Sequence, residues 1–161
     1  GSEMCIRDSK HHLYLIFQAP YDIIFKRGGH MDEHTLIIDG IEYFNLTHSS
    51  KVKCKDKLPA HVIQSWLRQD TTIEFMILWE KENNPDFDEK AARELQKRLH
   101  TTSFTLTPKQ WIIHTNAKGL VSKAGKNGGT YGVEFFLYDF VAWISPHFKY
   151  NLFRGLITFS K

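Results

Sequence analysis

Cysteine is nearly absent: the 161 residues hold two, Cys5 and Cys54, on segments with no evident reason to meet. That is too few for a disulfide framework, and with no CxxC pair it favours a reducing, cytoplasmic compartment. Long apolar runs are missing too. A stretch such as Leu13–Phe17 falls far short of the roughly 20 residues a membrane span needs, so no membrane partner is expected. Charge of one sign is scarce, with a formal net charge of +3. A nucleic-acid partner therefore has to be argued from where the lysines cluster and not from their total. The nine histidines form no HExxH, and Cys54 has no Cys or His at finger spacing, which removes the common zinc sites. No serine or cysteine sits in a nucleophile elbow, and the carboxylates show no paired arrangement beyond helix caps. Catalysis, a cofactor, a metal and a small-molecule substrate are all unexpected on those grounds. Internal repeats and low-complexity segments are absent as well.

What the chain does have is aromatic mass, four tryptophans and twelve phenylalanines, enough for one domain of this length to bury a core without staples. Leu36, Ile37 and Ile38 lead into Asp39-Gly40 and then Ile41, Glu42, Tyr43 and Phe44. Two β-prone runs around a dipeptide suited to a type I′ turn predict a hairpin. The tract from Lys51 to Lys57, with Lys51, Lys53, Lys55 and Lys57, reads as a short helix or an exposed loop whose lysines are a solvated face or phosphate contacts. Pro59 suits the first turn of a helix that turns Val62, Ile63, Trp66 and Leu67 inward and His61, Gln64, Ser65 and Arg68 outward. Gln can bond adenine edges, Arg guanine edges or phosphate, and Ser a backbone oxygen.

Asp70 or Thr71 is expected to cap the next helix, with Thr71 and Glu74 at capping-box spacing; Ile73, Met76, Ile77 and Trp79 face inward and residues 83–85 end it. A charged helix over about 88–99 carries a thin apolar stripe of Ala91, Ala92, Leu95 and Leu99. Thr107, Pro108 and Gln110 make a strong helix start, and Gly119 is expected to end that helix. The run from Val133 to Ile144 is apolar on nearly every side apart from Glu134 and Asp139, implying a largely wrapped helix. Ser145 caps the last helix and Pro146 opens it. Each tryptophan lies in an apolar helical pattern and reads as core, with Trp143 buried where the last two helices meet.

Leu120 to Tyr131, LVSKAGKNGGTY, stands apart. Two short apolar runs flank a loop carrying Lys123, Gly125, Lys126, Asn127, Gly128 and Gly129. Glycines permit the backbone a tight hairpin needs, while the lysines and the amide supply donors suited to phosphate oxygens or base edges. A nucleotide-binding loop does not fit. Five residues lie between Gly119 and Gly125 where four are required, and Lys126 is followed by Asn127, not by Ser or Thr.

From Tyr43 onward the chain resembles the KilA-N domain, a family of phages, large DNA viruses and bacteria that is related to the fungal APSES DNA-binding domain. The resemblance rests on YFNLT at 43–47, IQSWLR at 63–68, TIEFMILWE at 72–80, NPDF at 84–87, SFTLTPKQWI at 103–112, TNAKGLVSKAGKNGGTY at 115–131 and WISPHFK at 143–149. It implies an α+β fold, a small antiparallel sheet packed with several helices, with a helix-turn-helix-like pair and a winged β-hairpin. It implies binding of double-stranded DNA without catalysis, in a phage-derived or bacterial regulatory or defence-related protein, with a homo-oligomer allowed. The implied contacts are His61, Gln64, Ser65 and Arg68 on the helix after Pro59, and Lys118, Lys123, Lys126, Asn127, Thr130 and Tyr131 around the hairpin. The chain departs from the family after GTY. A polar His-Pro or His-Lys-Asp start to the next helix is usual there, whereas Gly132, Val133, Glu134, Phe135 and Phe136 follow here, and Glu134 would repel phosphate. A protein-interaction module on the same scaffold is the alternative.

The first residues read differently. GSEMCIRDS resembles translated adapter sequence, and KRGGHM at 26–31 is what a bacterial ribosome-binding site just before a start codon would encode. Met31 is thus read as the native start, residues 1–30 as leader and 31–161 as the domain, against the competing reading of HLYLIF at 12–17 as an edge strand.

Overall fold

A computed structural model describes residues 34–101, 103–126 and 128–160, with the side chains of 159 and 160 excepted. The expected leader, the edge strand over 12–17 and Asn127 lie outside the described residues. The fold is α+β, a four-stranded antiparallel sheet with seven helices among the described residues.

Strands β1 (Thr35–Ile38) and β2 (Ile41–Asn45) form the expected first hairpin. Its two central residues, Asp39 at φ 51° and Gly40 at φ 78°, both take the positive φ of a type I′ turn, whose twist matches that of the flanking strands. Five helices intervene before the sheet resumes. Helix α1 (Leu46–Lys53) starts under Asn45, whose side chain accepts from the His48 N–H. Helices α2 (Pro59–Leu67), α3 (Asp70–Asn83), α4 (Glu89–Arg98) and α5 (Pro108–Thr115) follow, and then strand β3 (Leu120–Lys123). Strand β4 (Gly129–Gly132) pairs both with β3 and with β2, giving the order β1-β2-β4-β3. Helices α6 (Glu134–Ile144) and α7 (Pro146–Ser160) close the domain.

The core is aromatic, with Trp66, Trp111, Phe136 and Phe140 among its largest fully buried side chains. Trp66 meets Phe140 edge-on, ring centroids 5.1 Å apart, and its indole N–H donates to Asp139 Oδ2 at 2.9 Å, so the polar end of the ring is satisfied where water is excluded. Several start and stop signals act as the sequence implies. Thr107 and Gln110 form a reciprocal capping box with Pro108 in the first turn, and the Ser145 hydroxyl accepts from the Phe148 N–H at 3.2 Å.

Four expectations are corrected. Gln69 stands at the start of α3 with no side-chain cap; Glu74 forms no capping box with Thr71 but pairs with Arg93 and accepts from Gln96 Nε2 on α4. Helix α5 ends at Asn116, in the left-handed conformation at φ 55°, before Gly119 is reached. Helix α6 is not wrapped: Phe136, Leu137, Phe140 and Val141 make one buried stripe, while Phe135 is 60% exposed. Trp143, expected in the core, is 42% exposed. An all-apolar helix announces that burial is available, but its surroundings cover only one side, and the other lines an open groove.

Candidate nucleic-acid interface

The basic hairpin is built outward from a buried carboxylate. Glu80, on the last turn of α3, is fully buried and accepts from the Lys118 N–H at 2.9 Å, the Gly119 N–H at 2.6 Å and Asn84 Nδ2 at 2.9 Å. Asn84 Nδ2 also reaches the Asn116 carbonyl at 2.8 Å. Charge-assisted bonds of this kind are the strong ones in a low-dielectric interior, and here they pin the backbone entering β3 to α3. The Tyr43 hydroxyl donates to the Lys118 carbonyl at 2.8 Å; burial, then Glu80 and Asp39, raise its pKa. Gly119 itself lies so close to the Phe136 ring that a β-carbon would overlap it.

At the tip the turn closes on itself. Gly125 takes φ 103°, the Gly128 N–H bonds the Gly125 carbonyl at 2.9 Å, and a β-carbon at Gly128 would collide with the Lys123 carbonyl. These are the positions where only glycine fits. Strand β4 then docks on the start of α1. The Thr130 N–H donates to Thr47 Oγ1 at 3.0 Å, Asn45 Nδ2 donates to the Tyr131 hydroxyl at 3.3 Å, and a β-carbon at Gly129 would stand 2.8 Å from Thr47 Oγ1.

This docking creates a polar basin of about 380 Å³ between the hairpin, α1 and β1. Lys123 and Lys126 of the hairpin and Lys51 of α1 line it, with Asn45, Thr47, Tyr131 and the imidazoles of His34 and His48; among the described residues no Asp or Glu does. The two imidazoles are stacked at 3.8 Å between centroids. Burial, then His34 and Lys51, hold the His48 pKa below its ordinary value, so near neutral pH His48 offers hydrogen bonds more than charge. Three cations from two elements around one concavity suit an anionic oxygen-rich ligand such as a phosphodiester backbone.

The residues singled out from sequence divide between places. Lys123, Lys126 and Tyr131 line the basin. Thr130 is buried behind it and held through its backbone, and Lys118 is exposed at the root of the hairpin. His61 and Ser65 line a second groove of about 720 Å³ with Lys57, Leu58 and Trp143; Gln64 is half-buried and Arg68 exposed on the same helix, and neither borders the basin. The structure therefore does not bring the polar face of α2 and the hairpin lysines into one cavity. His34, Asn45, Thr47 and His48 were not read as site residues. Lys51 was visible within the lysine tract.

Among the described residues no cluster of His, Cys, Asp and Glu could hold a metal ion, and no helix is long and apolar enough to cross a membrane. The sheet and the helix framework define a small α+β domain that carries a basic hairpin. The KilA-N domain family model matches residues 29–160, and the chain belongs to that family. No curated protein and no solved structure matches it.

Proposed function

We propose that the domain binds double-stranded DNA, with the β3–β4 hairpin acting as a wing whose lysines sit on phosphates and with α2 presenting Gln64 and Arg68 to base edges. The observation that carries this reading is the basin where Lys51, Lys123 and Lys126 converge. Family membership supports it, since the family is associated with DNA binding. On the same basis the protein is read as a non-catalytic, cytoplasmic regulatory or defence factor of a phage or bacterium. Mobility-shift titrations with random duplex at several salt concentrations test it. Log affinity should fall linearly with log salt, and replacing Lys51, Lys123 and Lys126 by Ala should weaken all sequences alike and flatten the slope by roughly three, about one per lost phosphate contact. An unchanged slope would leave the basin without a role in binding.

A further inference from the structure

Helix α7 packs chiefly against α6. It buries Phe148 but leaves Tyr150 66%, Phe153 49% and Leu156 43% exposed. These three recur every third residue and so form a slowly winding apolar ridge. Arg154 flanks the ridge, its guanidinium 5.8 Å from the Tyr150 ring centroid. Beside the ridge, α6, α7 and the start of α3 enclose a groove of about 670 Å³ whose walls are mainly aromatic: Phe75, Phe135, Tyr138, Trp143 and Phe153. Its charges are Glu134, Asp139 and Lys149. Asp139 is already engaged by the Trp66 indole N–H and lies near Lys149; Glu134, exposed at the first turn of α6, lies beside the Tyr138 hydroxyl, whose pKa burial and then Glu134 raise. The groove therefore offers aromatic walls and an exposed carboxylate; the ridge next to it offers apolar side chains and a guanidinium.

We propose that this face joins two copies of the chain, the α7 ridge of each lying in the groove of the other, with Arg154 of one against Glu134 of the second copy. An amphipathic helix seated in an apolar groove is a recurrent recognition mode. The complementary halves here lie side by side on one molecule and share Phe153, which belongs to both ridge and groove. A two-fold axis near Phe153 satisfies both at once and closes the assembly, as isologous interfaces do. A foreign helix would fill the groove and leave the ridge bare. The inference does not depend on the nucleic-acid reading.

Sedimentation equilibrium of the full chain across the micromolar to millimolar range tests it. A concentration-dependent dimer is expected, weakened about tenfold or more by Phe153→Asp, Arg154→Glu or Glu134→Arg. The double variant Glu134→Arg with Arg154→Glu, whose net charge equals that of the starting chain, should recover most of the association. Thermal melts of each variant separate loss of pairing from loss of fold. A monomer at every concentration overturns the proposal. So does a dimer indifferent to Phe153→Asp, or a double variant no better than the weaker single, since reversing both charges of a pair across the interface restores its attraction.

Discussion

Glu80 shows how a single side chain can set the position of a surface element. Taking a carboxylate out of water is costly, and what offsets the cost is a shell of three donors from two segments of the chain. Glu80→Gln places an amide N–H₂ against groups that are themselves donors, and each buried group left unsatisfied costs about 1–3 kcal/mol. Urea denaturation should therefore show a loss of about 3 kcal/mol, with faster hydrogen exchange at the Lys118 and Gly119 amides. A loss under about 1 kcal/mol would deny Glu80 this anchoring role. The tryptophans make a second contrast. Trp66→Ala removes a fully buried ring and strands Asp139, so the usual cost of about 3–5 kcal/mol for a large buried aromatic applies in full. Trp143→Ala empties no enclosed cavity, and an equilibrium melt should register only about 1–2 kcal/mol. Equal losses would mean that Trp143 is covered in solution, which at the concentrations of a melt would itself point to pairing.

Elements differ in how far their own residues determine them. The start of helix α5 was legible to the residue because Thr107, Pro108 and Gln110 act on the backbone next to them. The first hairpin was legible because Asp39-Gly40 demands one turn type. The start of α3 was misread because Glu74, at capping-box distance in sequence, finds Arg93 and Gln96 on another helix, and a tertiary partner overrides a local one. The basin was legible in its hairpin half and, on α1, only through Lys51. His34, Asn45, Thr47 and His48 become its other wall through the pairing of β4 with β2, which no local pattern encodes. The separation of α2 from the basin bears on binding. Lys51→Ala and Lys123→Ala should lower affinity uniformly, whereas Gln64→Ala and Arg68→Ala should cost roughly 1–3 kcal/mol on a preferred duplex and far less on random DNA. Equal loss on both duplexes reduces α2 to a backbone contact.

For the whole molecule, protonation links fold to ligand. The His48 pKa in the folded chain lies below its ordinary 6.5. Between the two values the unfolded chain binds the extra proton, so this contribution to stability is complete above about pH 6.5 and is lost as the pH falls through the folded value. A phosphate in the basin favours the charged imidazole and should raise that pKa. Calorimetry of duplex binding near pH 6 in buffers of different ionisation enthalpy should therefore show net proton uptake, absent in His48→Gln. The sheet order has a further consequence, in time instead of space. Asn45 and Tyr131, which meet across the basin, are 86 residues apart in the chain, and β2 waits for β4 while α1 to α5 and β3 lie between them. Closing so long a loop is entropically costly and slow compared with forming the local helices and the first hairpin. During synthesis the β1–β2 hairpin and helices α1 to α5 can emerge before their lysine-bearing counterpart exists, so the basin takes shape only after β4 has been made, and a chain ending before residue 129 would carry Lys51, Lys123 and Lys126 without the strand that gathers them around one surface.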